Sequence, residues 1–402
     1  MITYVMKLFT VLFLLLLSTI TLSAQSPEQL LKLGRNSYRY DRLDSADFYY
    51  NKAFQQTNKN FQLEAVTGLI KVALLRADLH TADSLMKIGE GLLSDELNRK
   101  SVYPFEITKG VYLKKNSAFQ QALAVHKKVV AESANWEEGI VIHADALFQT
   151  ALTLERLAQY DSSIAYVEKA YAIYQQNLDT TSIKFASIYN GLGVCYYRAN
   201  DFQKSKTFYL KSKQVCETHL GPISSDLALC LSNLSSISRI EENYQEAIEY
   251  TEAALKIFKA LDDQEGISGA YYGLGVYYYF LGDYGRTKEY MEACIALRKE
   301  LYDANHYALI NPYEVLGIAL EESGNYEQTL YYLKKVKPII IANFGVGSLQ
   351  DGLNSENTAI CFQKINELDS ALHYILNANK ILTKHLDKNA YQLATHHVNL
   401  SD

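Results

Sequence analysis

Large and small side chains recur with a long period along this chain. Residues 189–212 read YNGLGVCYYRANDFQKSKTFYLKS and residues 271–294 read YYGLGVYYYFLGDYGRTKEYMEAC. With the leucine of each GLG as anchor, the pattern returns at Leu33, Leu69, Lys109, Thr150, Leu192, Leu234, Leu274, Leu316 and Thr358, at intervals of 36 to 42 residues. The residue after the anchor is small (Gly34, Gly110, Ala151, Gly193, Ser235, Gly275, Gly317, Ala359), with Ile70 the exception. Ten residues after the anchor stand Leu43, Leu79, Phe119, Tyr160, Phe202, Tyr244, Tyr284, Tyr326 and Leu368, all large. Thirteen after it stand Ala46, Ala82, Ala122, Ser163, Ser205, Ala247, Thr287, Thr329 and Ala371, all small.

Those columns predict two antiparallel helices per repeat, joined by a short turn. The two small columns let the backbones approach, and the large residue between them is expected to fill the gap under the turn. One hairpin cannot bury its apolar faces alone, so neighbours must stack. Asn200-Asp201, Gly282-Asp283 and Gly324-Asn325 read as helix stop followed by helix start. Ser26-Pro27-Glu28-Gln29 reads as a capping box with proline at the first helical position. Pro104, Pro222 and Pro312 fall at or before predicted first helices, whereas Pro338 lies within a predicted second helix and should kink or shorten it.

The columns resemble the tetratricopeptide repeat family. A period near 42 resembles the long repeats of kinesin light chains and of exported bacterial repeat proteins rather than the usual ~34. The resemblance implies an all-α fold, a right-handed α-solenoid of helix-turn-helix repeats. Nine repeats are expected at about 27–62, 63–102, 103–143, 144–185, 186–227, 228–267, 268–309, 310–351 and 352–393. A truncated tenth is expected at 394–402, where Leu400 falls in the anchor column; on that pattern the chain reads as a fragment of a longer protein.

The N-terminus carries a different pattern. Lys7 precedes an apolar run, Leu8 to Leu17, and small or polar residues lead to Ala24. That is the layout of a secretory signal over residues 1–24, too short to span a bilayer at ~20 residues. The mature array, 25–402, is then periplasmic or secreted, with no stable membrane insertion after cleavage.

Composition narrows the chemistry. Lys+Arg number 39 against 45 Asp+Glu, a net charge of −6, so no basic excess exists to neutralise phosphates and no nucleic-acid partner is expected. Cys195, Cys216, Cys230, Cys294 and Cys361 form no C-x-x-C and read as buried small hydrophobes, with Cys216 and Cys230 the one close pair. The sequence contains no Walker A loop, H-E-x-x-H, G-x-S-x-G or G-x-G-x-x-G. His396-His397 is weak as a metal pair, and His219 and His306 read as loop packing. No catalytic residue, metal or cofactor is therefore expected.

The family resemblance places the concave wall on the first helices, at positions two and one before the anchor and two and five after it. The implied partner-binding residues are Asn190, Tyr197, Ser232, Asn233, Ser236, Arg239, Tyr272 and Tyr279. Amides can pair with both groups of an extended peptide, and tyrosines give contact area with few rotors. The wall is basic toward the start (Lys32, Arg35, Lys71) and acidic toward the end (Glu314, Glu321, Glu356). The family's carboxylate clamp, lysine two before and asparagine two after the anchor, is not matched. The expected function is an exported, non-catalytic scaffold that binds a peptide or protein segment in its groove. The alternative is the sensory part of a larger protein that continues into a CHAT peptidase or histidine kinase domain. N-terminal sequencing of the exported product should begin at Gln25; a product that begins at Met1 overturns the leader assignment.

Overall fold

The structure, a computed structural model, describes residues 25–179 and 182–385. The expected leader, the expected tenth half-repeat and His396-His397 lie outside the described residues. Within them there are eighteen α-helices and no strand. The chain divides into two compact units, one to Ser224 and one from Ser225.

The first unit holds five hairpins: α1 (Pro27–Arg39) with α2 (Leu43–Phe54), α3 (Lys59–Leu75) with α4 (Leu79–Leu92), α5 (Arg99–Lys115) with α6 (Phe119–Ser133), α7 (Ile140–Arg156) with α8 (Tyr160–Asn177), and α9 (Lys184–Arg198) with α10 (Phe202–Val215). The second unit holds four: α11 (Ser225–Ile240) with α12 (Tyr244–Ala260), α13 (Gln264–Phe280) with α14 (Tyr284–Leu301), α15 (Ile310–Glu322) with α16 (Tyr326–Phe344), and α17 (Leu349–Lys364) with α18 (Leu368–His385). Each helix packs on the next within its unit, and in the first unit each first helix also packs on the first helix of the following hairpin. Several first helices begin ahead of the expected repeat starts, at Lys59, Arg99, Gln264 and Leu349. Asn58, Asn98, Asp263 and Ser348 cap them there with their side chains. Ser26 forms the expected capping box with Gln29. The long period is spent between hairpins: α10 continues as a wider turn over Cys216–Leu220, and 3₁₀ turns at Glu137–Gly139 and Tyr307–Leu309 precede α7 and α15.

The hairpin contact is made by the small columns. All nine residues thirteen after the anchor are buried, from Ala46 to Ala371. Where that residue carries a hydroxyl, it can bond across the hairpin. Ser163 Oγ donates to the Ala151 carbonyl at 2.8 Å, Ser205 Oγ to the Gly193 carbonyl at 2.8 Å and Thr329 Oγ1 to the Gly317 carbonyl at 3.3 Å. The glycine after the anchor faces a column that sequence reading missed, seventeen residues after the anchor. A Cβ on Gly34 would lie 2.7 Å from the Tyr50 ring, on Gly110 2.1 Å from His126, on Gly193 2.4 Å from Tyr209 and on Gly275 2.6 Å from Met291. At Gly34, Gly110 and Gly193 the facing atoms belong to a ring, so a larger residue there would force the ring to shift, whereas at Gly275 the nearest atom is the flexible methyl end of Met291.

The large residues ten after the anchor are corrected in role. Each opens a second helix, and none is fully buried; Leu368 is 61% exposed. Three of them meet aromatic residues at the end of a first helix: Phe202 lies edge-on to Tyr197 at 5.6 Å, Tyr244 stacks on Phe280 of the following hairpin at 5.0 Å, and Tyr284 is tilted against Tyr279 at 6.0 Å between ring centres. Pro338 neither stops nor shortens its helix; α16 runs through it to Phe344 for 19 residues. Pro104 likewise stands inside α5 rather than at its start. All five cysteines are buried thiols outside any disulfide. On α18, Leu382 is buried while Leu372 and Leu376 face solvent.

The turns are more uniform than their sequences. The residue eight after the anchor is left-handed in every hairpin: Asp41, Ala77, Ser117, Ala158, Asn200, Glu242, Gly282, Gly324 and Asn366. The following N–H closes back on the carbonyl five residues earlier, as Asp201 does on Tyr196 at 2.9 Å and Asp283 on Tyr278 at 2.9 Å. Only two of the nine are glycine, so the others hold a conformation that L-residues disfavour.

Two outcomes follow from this packing. Ala77→Gly and Ala158→Gly should each raise stability by about 0.5–1 kcal/mol, the left-handed strain removed less the added chain entropy. Urea denaturation measures it, and a loss of stability in both variants contradicts the strain argument. His126 is fully buried between the Ile107 carbonyl and Thr153 Oγ1, each 3.1 Å away, and burial lowers its pKa from 6.5 to about 4. The neutral ring is folded and the unfolded ring takes up a proton, so stability is full above pH 6.5 and falls as the pH drops toward 4. The drop should be about 2–3 kcal/mol between pH 7 and 4.5 and should shrink in His126→Gln, read from urea midpoints at the two pH values.

Candidate interaction groove

In the second unit the first helices α11, α13 and α15 wall a groove with a cavity of about 650 Å³, within the size range of ligand pockets. Its floor is apolar: Val276 from α13, Val315 and Ile318 from α15, and Phe258 from α12. The α13 wall is thinned by Gly269 and Gly273; a Cβ on Gly269 would meet nothing within 4 Å, and one on Gly273 would make ordinary contacts only. The backbone of α13 is thereby accessible from the groove.

Polar groups stand above that floor. Ser232 and Ser236 hydroxyls donate to carbonyls of their own helix, at Ala228 (2.9 Å) and Ser232 (3.1 Å), which leaves their oxygens as acceptors toward the groove. Tyr272 is half-buried, with the Arg298 guanidinium 5.5 Å from its ring centre. Tyr279 packs edge-on against Phe280 at 5.6 Å. Burial raises the pKa of both phenols, so both remain neutral donors. Arg239 lines the groove and forms no ion pair among the described residues, although its charge reaches Tyr272. On α15, burial raises the pKa of Glu314, and also that of Glu321 with a smaller contribution from Glu322. Arg239 from α11 and Glu314 from α15 both lie in electrostatic range of Tyr272.

The groove gathers five of the eight residues marked from sequence: Ser232, Ser236, Arg239, Tyr272 and Tyr279. Asn233 is on the same helix but does not line the cavity. Asn190 and Tyr197 belong to the first unit, where Tyr197 lies edge-on to Phe202. Sequence reading missed Val315 and Ile318, which occupy the same register one repeat later, and Phe258, which comes from a second helix. Of the wall charges, Arg35 is paired with Glu64 at 3.3 Å, and Glu356 is buried in α17 rather than presented.

Stacked helix hairpins with a groove walled by their first helices define an α-helical repeat solenoid. The chain belongs to the tetratricopeptide repeat family, whose model matches residues 142–218, 184–260, 225–300 and 266–342, together half of the chain. It is similar to a TPR repeat-containing protein of Methanocaldococcus jannaschii, 24% identical over 355 residues, covering 77% of this chain and 57% of that protein. It is also similar to KINESIN LIGHT CHAIN-RELATED 1 of Arabidopsis thaliana, 25% identical over 144 residues, 35% of this chain and 23% of that one. The chain therefore spans less than two thirds of the length of both relatives. Among solved structures, a STAND signal transduction ATPase with a tetratricopeptide repeat sensor from Pyrococcus horikoshii matches with a TM-score of 0.65 at 14% identity, covering 90% of this chain and 55% of that one. Rap protein complexed with competence and sporulation factor matches with 0.57 at 17% identity, over 89% and 99%. The apo quorum sensor NprR from B. thuringiensis matches with 0.51 at 10% identity, over 80% and 99%. At these identities the likeness is one of fold.

Proposed function

We propose that this protein is an exported, non-catalytic interaction scaffold that takes an extended peptide segment in the groove of its second unit. The observation that carries the reading is the groove's inventory. An apolar floor can bury one or two side chains, while the side chains of Arg239, Tyr272 and Tyr279 form no hydrogen bond among the described residues and can serve a peptide backbone. The serine oxygens supply acceptors, and the glycine-thinned wall lets a backbone approach closely. Two solved structures of similar fold support the reading: one is a complex with competence and sporulation factor, the other a quorum sensor. Export rests on the Lys7, Leu8 to Leu17 and Ala24 pattern.

The test is selection of peptides from a displayed random library on the immobilised chain, followed by affinity measurement with variants. Tyr272→Ala with Tyr279→Ala should weaken the selected peptides at least about tenfold, as loss of aromatic anchors does, and a cooperative melt checks that the double variant still folds, since Tyr272 packs on the core. Arg239→Ala should reduce affinity most for peptides that carry an acidic group. Selected peptides that bind the tyrosine double variant as well as the parent would show that the groove is not the site.

A further inference from the structure

We propose that the groove of the second unit takes a basic side chain of the bound segment, lysine or arginine, on the Tyr279 and Phe280 rings of α13 beside the Glu321 and Glu322 carboxylates of α15. The proposal rests on the peptide reading of the same groove and adds the charge and the place of one recognised side chain.

Several rings around this end of the groove are already covered by cations of the chain itself. On α13, Lys259 Nζ lies 5.6 Å from the centre of the Tyr271 ring, the Arg298 guanidinium 5.5 Å from that of Tyr272 and the Arg286 guanidinium 4.0 Å from that of Tyr278. On α15, Lys299 Nζ lies 5.7 Å from the Tyr313 ring. Tyr279 and Phe280 have no such cation among the described residues, although both line the cavity and Phe280 is 49% exposed. Tyr244 stacks on Phe280 at 5.0 Å and Tyr279 meets Phe280 edge-on at 5.6 Å, so these rings are steadied by one another rather than by a charge. The face of an aromatic ring attracts a cation through its quadrupole, and more strongly where water is partly excluded.

The nearby carboxylates are unmatched as well. Glu321 and Glu322 close α15 at the register that Tyr279 and Phe280 hold one repeat earlier, five and six residues after the anchor. Glu321 is half-buried and Glu322 exposed, and neither carboxylate accepts a hydrogen bond or joins an ion pair among the described residues. Burial first, and then Glu322, Tyr284 and Glu321, raise the pKa of Tyr279, so both carboxylates lie in electrostatic range of its ring with no cation opposing them. Burial and then the Glu322 charge raise the pKa of Glu321, and Lys364 from α17 opposes that rise without pairing with it.

The other end of the groove differs in sign. At Tyr272 the Arg298 and Arg239 cations are in range, together with Glu314. Tyr272 and Tyr279 stand seven residues apart on one helix, about 10 Å. The groove therefore has a charge order, with guanidinium groups toward Tyr272 and unpaired carboxylates toward Tyr279. An extended segment that reaches both ends spaces an acidic and a basic side chain about three residues apart. Two carboxylates beside two rings suit an organic cation better than a metal ion, since rings attract a cation without ligating it. No group of three or more metal-ligating side chains gathers among the described residues.

Titration of the full chain with acetyl-arginine amide and with acetyl-norleucine amide, read by saturation-transfer NMR, tests the subsite apart from the rest of the groove. The arginine probe should bind in the millimolar range, and the neutral probe at least several-fold more weakly. Glu321→Gln with Glu322→Gln should bring the arginine probe down to the level of the neutral one. Phe280→Leu, which keeps bulk and removes the ring, should weaken the arginine probe about threefold, the scale of a partly exposed ring–cation contact. Circular dichroism melts check that each variant is folded, and Glu322→Gln alone, at an exposed side chain, serves if the double variant unfolds. Peptides selected from the displayed library should carry lysine or arginine and lose about tenfold in affinity when norleucine replaces it. The proposal is overturned if the two probes bind alike, if neither binds at millimolar concentration, or if Glu322→Gln leaves the arginine probe unchanged. Selected peptides that need Tyr272 and Tyr279 yet tolerate norleucine and the glutamine variants overturn it too, and leave the peptide reading intact. Glutamate-dependent binding of the arginine probe with no peptide selected supports the cation subsite and removes the peptide reading.

Discussion

The close approach of two helices within each hairpin is the constraint on which the rest depends. At Gly193 the backbones come so near that the facing Tyr209 ring occupies the place of a Cβ, and Ser205 bonds across the same gap. A buried polar hydroxyl at such a contact is tolerated because a carbonyl satisfies it. The same contact sets the slope of each first helix, and hence which of its side chains reach the groove. Ser232, Ser236 and Arg239 on α11, and Tyr272, Val276 and Tyr279 on α13, all line it.

Much of this was legible because a solenoid writes the same sentence repeatedly. The small residue thirteen after the anchor is buried in all nine hairpins, and the family assignment follows from the columns alone. The column seventeen after the anchor escaped notice because its members share no chemistry: Tyr50, Met86, His126, Val167 and Tyr209 are alike only in being buried. The turns were legible at Asn200, Gly282 and Gly324 and silent at Ala77 and Glu242. There the hydrogen-bond frame, rather than the residue, imposes the left-handed geometry. Leu79 and Tyr284 misled in the other direction, since a large apolar residue at a helix start can rest on the rim of the core instead of inside it.

The candidate site was less legible than the fold. Register identified α11 and α13 positions that do line the groove, but it could not say where a cavity opens or which amides turn into it. Asn233 illustrates the limit: its register matches, yet the cavity lies toward its neighbours Ser232 and Ser236. Polar contacts in the first unit were less visible still. Asp145, Tyr174 and Lys184 come from three helices at unrelated repeat positions, and only the fold shows that both others bond to Asp145.

The pairing of the small column with the column seventeen after the anchor bears on how such arrays grow. Gly193 matches Tyr209 and Gly110 matches His126 within one hairpin, and Ala151 stands in the same cluster as the smaller Val167. A first helix bearing Ile70 or Ala151, exchanged for the one bearing Gly193, would collide with the Tyr209 ring, whereas a whole hairpin carries its own complement with it. Duplication and recombination are therefore confined to breakpoints in the segments between hairpins, such as those around Glu137–Gly139 and Tyr307–Leu309. The unit of inheritance is the matched pair of helices, and the variable lengths of those connecting segments are where its seams remain.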